Sequence, residues 1–134
     1  MEEFNEDVTL DNQEEETIED DFTKNGEDEL FQGGPTYDQV ADWKSQYDEE
    51  IYMSSFGEDT YIWRPLRRKE YKDIQKIENA DEYYVEEQIC MRCVLWPSGT
   101  LPQKLRAGKA GIPTMLSRLV MDKSGFVRPS TFKI

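Results

Sequence analysis

The sequence predicts a mainly helical α+β fold, in which a β-hairpin packs with three or four helices behind a disordered acidic N-terminal arm. Three observations support this fold class. The charge is divided, since residues 1–31 hold fourteen acids and one base, which together make the whole net charge of −13. After Pro35, apolar residues recur at helical spacing along most of the chain. One short stretch instead alternates as strands do.

The division of charge also predicts how the chain is organised. High net charge with few apolar residues cannot offset the entropy of ordering, so residues 1–34 are expected to form a disordered acidic arm. A hinge at Gly33-Gly34-Pro35 then leads into a compact helical domain with a hairpin over 35–127, followed by a loose tail over 128–134. The arm should repel nucleic acid and anionic membranes, so neither is expected as a partner.

The first helix is predicted from Tyr37 to about Gln46. Thr36 and Gln39 form a capping-box pattern at its start, in which each side chain satisfies a backbone amide of the first turn. The apolar face that follows at helical spacing consists of Val40, Trp43 and Tyr47. The helix is therefore expected to pack on the domain through that face.

A β-hairpin is predicted over about 48–66. Strands over 48–56 and 60–66 flank Gly57-Glu58-Asp59, a favourable turn between aromatic and β-branched runs. Pro65 cannot donate to a strand ladder and should end the second strand. Because an isolated hairpin is marginal in water, the helices must cover one of its faces.

Two helices are predicted after the hairpin. The first runs from Arg67 to about Glu78, and its inward residues are Tyr71, Ile74 and Ile77. The second begins near Asn79, where a cap is expected, and continues to roughly Leu95 before Pro97-Ser98-Gly99 ends it. Its core-facing row is Val85, Ile89, Cys93 and Trp96.

A loop and a final helix complete the predicted domain. Thr100 to Lys109 is expected to be a basic loop. The last helix begins at Gly111-Ile112-Pro113, where an early proline loses no hydrogen bond, and ends at Ser124-Gly125-Phe126 with the glycine in the left-handed conformation. Its apolar stripe is Met115, Leu116, Leu119 and Val120.

The residues offer little that could carry catalysis. The chain has no histidine, which removes the commonest general base and metal ligand. Cys90-Met91-Arg92-Cys93 has the spacing of a redox pair or of half a zinc site, but no further cysteine or histidine exists to complete four ligands. We interpret Cys93 as a core residue beside Ile89, and Cys90 as a residue near the edge of the core. No enzyme, cofactor or metal is therefore expected.

Two surface features suggest binding instead. A basic face could bind RNA or an acidic protein segment, or be an ordinary solvated helix surface, and the acidic arm of the same chain could compete for it. Its residues are Arg64, Arg67, Arg68, Lys69, Lys72 and Lys76. The domain also holds more aromatic residues than a core of this size commonly needs, and aromatic anchors dominate protein–protein contacts.

Several runs of residues resemble a known family. They are Tyr61-Ile62-Trp63-Arg64-Pro65-Leu66 with Arg67-Arg68-Lys69-Glu70-Tyr71, Glu87-Gln88-Ile89-Cys90 through Val94-Leu95-Trp96-Pro97, and Ala110-Gly111-Ile112-Pro113 with Ser124-Gly125-Phe126. Over roughly residues 48–126, the chain is similar to small tail-assembly proteins of tailed bacteriophages. These include the tail assembly chaperones encoded near the tape-measure gene and the baseplate-hub assembly proteins of contractile tails.

The resemblance implies a non-enzymatic chaperone of virion morphogenesis. It would bind the tape-measure protein or a baseplate-hub component in the host cell cytoplasm and be absent from the mature virion. The residues expected to contact this partner are Trp63, Arg64, Arg67, Tyr71, Tyr84 and Trp96. Two alternatives stay open: a structural baseplate or tail component retained in the virion, and a small regulatory protein that binds RNA or a host protein through its basic helix.

Overall fold

The computed structural model describes residues 25–134, so the disorder predicted for residues 1–24 lies outside the described residues. The described part of the chain is an α+β fold, as predicted, with five helices and a three-stranded antiparallel sheet. In chain order the elements are α1 (Tyr37–Gln46), β1 (Tyr52–Phe56), β2 (Asp59–Trp63), α2 (Arg68–Gln75), α3 (Glu82–Cys93), β3 (Val94–Trp96), α4 (Leu101–Ala107) and α5 (Gly111–Lys123). No helix in this part of the chain is long and apolar enough to cross a membrane.

The predicted hairpin is present, with shorter strands than expected. β1 and β2 pair antiparallel along their whole length. Gly57 closes the turn with a φ of 68°, a left-handed conformation that glycine adopts without strain. β1 does not reach back to α1, because Asp48 and Glu49 also have positive φ and turn the chain instead of extending it. β2 ends before Pro65, as its missing amide proton requires.

A third strand replaces the end of the third predicted helix. α3 ends at Cys93 and not at Leu95, and the next three residues form β3, which pairs antiparallel with β2. Val94 lies opposite Trp63 in this pairing. The helical spacing that continues to Trp96 in the sequence is therefore overridden by strand pairing, which suits β-branched and aromatic side chains on a half-buried sheet.

The segment 100–109, predicted to be a loop, contains helix α4. Leu101 and Leu105 lie one turn apart and are both buried, so they fix this short helix to the core. Gly108 caps the end of α4, and this position requires glycine because a Cβ here would lie 2.5 Å from the carbonyl oxygen of Lys104. Two buried leucines in a basic stretch were too few to indicate a helix from the sequence.

The ends of α2 and α3 differ slightly from prediction. α2 spans eight residues, and it buries Ile74 while Tyr71 and Ile77 are half-buried. α3 is capped by Asp81, whose carboxylate accepts a hydrogen bond of 2.8 Å from the backbone amide of Tyr84. Asn79, the predicted cap, lies two residues earlier with a φ of 61°.

The core lies between the sheet and the helices α2 to α5. Its buried members are Tyr61, Trp63, Leu66, Ile74, Ile89, Cys90, Cys93, Val94, Leu101, Leu105, Ile112, Leu116, Leu119 and Val120. The predicted stripe of α5 is confirmed, except that Met115 is only half-buried. α1 contributes no buried residue and lies on the outside of the domain.

The end of the predicted disordered arm, residues 25–34, is folded against α1 and β3. The amides of Tyr37 and Asp38 donate to the carbonyl oxygens of Asp28 and Gly26, each at 2.9 Å. The ring of Phe31 lies 5.1 Å from that of Trp96 in an edge-on contact. The boundary between the arm and the domain was predicted at residue 34. These backbone hydrogen bonds and this aromatic contact hold residues 25–34 on the domain.

The C-terminal end matches the predicted stop signal. Gly125 has a φ of 96°, and the amide of Phe126 donates back to the carbonyl oxygen of Met121 at 3.1 Å. Residues 127–134 that follow are exposed and hold no helix or strand.

Candidate partner-binding surface

The C-terminal end of α3 meets β2 and α2 in what we call the Arg64 junction. The Arg64 guanidinium binds Glu70 with two parallel hydrogen bonds of 2.6 and 2.7 Å, and also donates to the carbonyl oxygen of Arg92 at 2.8 Å. The ring of Tyr47 lies 4.8 Å from the guanidinium carbon. Arg64 is 6% exposed. It therefore braces three elements and is not part of the exposed polar rim that the sequence predicted.

The charges of the Arg64 junction are fixed by its hydrogen bonds. Burial by itself would lower the pKa of Arg64 and raise the pKa of Glu70. The paired hydrogen bonds outweigh burial, so the pKa of Arg64 is raised and the pKa of Glu70 is lowered from its ordinary 4.5. The backbone amide of Arg67 also donates to Glu70, at 2.9 Å. Both partners are thus ionised at neutral pH.

Trp63, the first aromatic predicted to contact a partner, is a core residue. It is 1% exposed, and its Nε1 donates to Ser54 Oγ at 3.0 Å. Its ring packs 4.9 Å from that of Tyr52. A fully buried indole with a satisfied N–H cannot touch a partner in this conformation, so the prediction for Trp63 is wrong.

Three other predicted contact residues are at least partly accessible but already packed. Arg67 is exposed and donates to the carbonyl oxygen of Gln46 at 3.1 Å. Tyr71 is half-buried, with its ring 4.9 Å from that of Phe126. Trp96 is half-buried under Phe31. Arg67 and Tyr71 lie one turn apart at the start of α2, whereas Trp96 lies in β3, and each of the three is already packed against a different neighbour.

Tyr84 is the one predicted aromatic that stands free on the surface. It is 41% exposed and lies in the first turn of α3 beside Tyr83, which is 66% exposed. At about 100° per residue, Tyr84 lies roughly 200° around α3 from Glu82, so the two side chains are on nearly opposite sides of the helix. Met91, 38% exposed, follows Tyr84 on the same face two turns later. A role for Tyr84 in binding stays a prediction of the sequence, and it is an alternative to the docking surface proposed below, which Tyr84 does not line.

The basic face follows one exposed side of α2 and its flanks. Arg64 is not part of it, because that side chain is buried. The exposed members are Arg67, Arg68, Lys69, Lys72 and Lys76. Lys69 pairs with Asp73 at 3.7 Å across one helical turn, which is a surface contact of small energy.

Both cysteines are buried inside the domain. Cys93 lies in the core with Ile89, as predicted, whereas Cys90 is also fully buried and not at the edge. Burial raises the pKa of each thiol to about 12, so neither forms a thiolate at neutral pH. Cys90 Sγ donates to the carbonyl oxygen of Pro113 at 3.6 Å. The two thiols thus behave as small apolar side chains.

A concave surface lies between α3 and α5. α3 and α5 run antiparallel, and their contact closes near Cys90 and Pro113 but opens towards the start of α3. The opening has a volume of about 550 Å³. Its lining is Ala80, Asp81, Glu82, Val85, Glu86, Ile89, Thr114, Ser117, Arg118, Met121, Asp122 and Phe126. We call it the α3–α5 groove.

The α3–α5 groove has an apolar floor and an acidic rim. Its floor is made by Val85, Ile89, Met121 and Phe126. Its rim carries four carboxylates against one guanidinium, that of Arg118. Thr114 Oγ1 donates to Glu86 Oε1 at 2.7 Å and joins the two helices at the closed end. Such a surface suits an apolar segment that carries positive charge.

The sequence did not indicate this groove. Val85 and Ile89 were predicted to face the core, and Phe126 was predicted to pack back on the last helix. Those contacts are made in part, but Val85 stays half-buried, and side chains of both α3 and α5 line an open groove beside it. The signal available in the sequence was the apolar row of α3, which starts at Val85 in the first turn of the helix. Which two helices pair is a tertiary fact that spacing does not encode.

The described residues include no cluster of three or more cysteine or carboxylate side chains that could hold a metal ion. No family model, curated protein or solved structure matches the chain.

Proposed function

We propose that this protein is a non-enzymatic assembly factor of a bacteriophage tail. It binds an apolar, helical segment of a tape-measure or baseplate-hub protein in the host cytoplasm while the virion is assembled. The observation that carries the proposal is the α3–α5 groove, with its open apolar floor and its acidic rim. The choice of a tail protein as partner comes from the sequence resemblance over residues 48–126.

The chemistry of the groove suggests the kind of segment that is bound. An amphipathic helix lays its apolar face into a groove of this kind, with anchors one turn apart. Lysine or arginine beside those anchors would meet the carboxylates of Asp81, Glu82 and Asp122. Burial of the apolar face would keep the partner from aggregating, and the strong negative charge of the chain would keep the complex soluble.

Co-expression tests the proposal. The full chain is expressed with each tape-measure and hub protein encoded by the same genome, and each pair is tested for co-purification and for partner solubility. We expect one of these proteins to become soluble and to co-purify with the unaltered chain. The variant that combines Glu82→Lys and Asp122→Lys should no longer co-purify with it or keep it soluble. A genome without such genes, or a partner retained by the double variant, contradicts the proposal.

Mass spectrometry of purified virions distinguishes the assembly factor from a retained tail component. An assembly factor is absent or strongly depleted relative to the tube protein. A stoichiometric amount in the particle would favour the structural alternative.

A second candidate function is supported by the exposed basic face on α2, which could bind RNA or an acidic segment of a host protein. Charge reversal of Arg68 and Lys72, both exposed, tests it. Loss of RNA or host-protein binding, with partner solubility unchanged, would favour this regulator.

A further inference from the structure

The last eight residues of the chain carry apolar side chains that the structure leaves in water. Val127 is 60% exposed, Phe132 is 83% exposed and Ile134 is fully exposed. Side chains of this size gain free energy when they leave water. The tail, defined as residues 127–134, therefore has a preference for an apolar surface that its own chain does not satisfy in the structure.

The charge of the tail is opposite to that of the α3–α5 groove. Two of the side chains in the tail, Arg128 and Lys133, are basic, and none is acidic. The groove rim holds Asp81, Glu82, Glu86 and Asp122 against a single base. Opposite charges around an apolar contact favour this pairing over others.

The tail also fits the groove in length and pattern. From Thr114 to Asp122 the groove follows α5 for roughly 12 Å, at 1.5 Å per residue. Four residues of extended chain span about 13 Å. Alternation in an extended segment places Phe132 and Ile134 on one side, towards the floor, and Lys133 on the other.

We propose that the α3–α5 groove of one copy receives the tail of a second copy, so that the protein forms a dimer by reciprocal tail exchange. Exchange of identical segments gives a closed two-fold dimer in which the same contact occurs twice. In the structure the tail does not lie in the groove of its own chain, since all its residues are exposed and none of them lines the groove. Pro129 keeps the preceding Arg128 extended, which is the conformation that a tail reaching a second copy needs.

This inference shares the groove with the proposed function, and gives it a form of regulation. The tail would cover the apolar floor in the absence of a partner, and a partner segment would displace it. Two short tails bury little area, so we expect a weak dimer with a dissociation constant on the order of 10–100 μM. The high negative charge of each copy opposes association at long range, but at about 0.15 M salt it is screened beyond roughly 8 Å.

Sedimentation equilibrium of the full chain tests the dimer. At about 0.15 M salt the mass should rise from monomer to dimer across roughly 5–500 μM. Phe132→Ala combined with Ile134→Ala should raise the dissociation constant about tenfold or more. Ser130→Ala is the matched control in the same tail and should leave it unchanged. All three residues are exposed, so these variants leave the folded body intact.

A charge exchange shows whether the tail meets this groove and not another surface. One variant carries Glu82→Lys with Asp122→Lys in the rim, and a second carries Arg128→Glu with Lys133→Glu in the tail. Each variant alone should remain monomeric at about 100 μM, a concentration at or above the dissociation constant expected for the unaltered chain. Mixed in equal amounts they should form a heterodimer, because each tail then meets a rim of opposite charge.

A chain that is monomeric at every concentration overturns the inference, including one whose tail binds its own groove. A dimer insensitive to the Phe132 and rim variants also overturns it. These results are separate from the test of function. A monomer that still binds a bacteriophage tail protein contradicts only the exchange of residues 127–134. A dimer that binds no bacteriophage tail protein contradicts only the proposed function.

Discussion

The two ends of helix α3 contrast. Its C-terminal end is closed: Cys93 is fully buried, and the carbonyl oxygen of Arg92 accepts a hydrogen bond from Arg64. Its N-terminal half is open: Val85 is half-buried and lies on the floor of the α3–α5 groove. At the closed end buried charge is paired, and at the open end apolar surface is left in water. The same helix therefore stabilises the fold at one end, and at the other end it lines the groove that we propose as a docking surface.

This difference shows why residue type alone predicted the surface poorly. Trp63 and Arg64 are typical interface residues, and the fold uses both at the closed end. The open end is lined by ordinary helix residues such as Val85 and Met121. An aromatic or an arginine indicates a strong contact, but only the packing of the elements decides whether the contact is internal.

The largest expected effect is at the closed end. Trp63→Ala removes a 1% exposed indole and its hydrogen bond to Ser54. We expect it to lower the free energy of unfolding by about 3–5 kcal/mol, as buried aromatic truncations do. Urea denaturation followed by circular dichroism measures the change. A loss under about 1 kcal/mol would place Trp63 outside the core.

Glu70→Ala is expected to lower the free energy of unfolding by about 3 kcal/mol, because it leaves the buried guanidinium of Arg64 without its carboxylate partner. Asp73→Ala is the matched control on the same helix. It breaks only the exposed pair with Lys69, and should change stability by less than about 0.5 kcal/mol. Equal effects in urea denaturation would contradict the assignment of the Arg64 junction as a brace.

The same pair predicts how stability depends on pH. The pKa of Glu70 is lower in the folded state than its ordinary 4.5, so the unfolded chain takes up the proton first. Its contribution is present above pH 4.5 and is lost as the pH falls through the folded pKa. Glu70→Gln should therefore lose less stability than the unaltered chain between about pH 5 and pH 3. Parallel pH profiles would show that Glu70 is not the group responsible.

A smaller effect is expected where residues 25–34 meet the domain. Phe31→Ala removes the ring contact with Trp96, at 5.1 Å, and should lower the free energy of unfolding by about 1 kcal/mol. Indole fluorescence of the folded chain should change as well, since Trp96 becomes more exposed. Unchanged stability and fluorescence would mean that this segment is not held on β3.

The sequence predicted the parts of the fold that local chemistry decides. The cap at Thr36, the turn at Gly57 and the stop at Gly125 each depend on a few neighbouring residues, and all three are confirmed. β3 and α4 were missed because Val94 and Leu105 take their conformation from distant partners. The α3–α5 groove was missed for the same reason, since it is formed by side chains of two helices that are distant from each other in the sequence.

The central claim is that the open end of α3 is the docking surface. Isothermal titration calorimetry tests it most directly. The segment of the bacteriophage tail protein that co-purifies is titrated into the unaltered chain, into the variant with Glu82→Lys and Asp122→Lys, and into the variant Tyr84→Ala. We expect the rim variant to bind about tenfold more weakly or worse, and Tyr84→Ala, which faces away from the groove, to bind within about twofold. A segment that loses affinity with Tyr84→Ala, and keeps it with the rim variant, would contradict the claim.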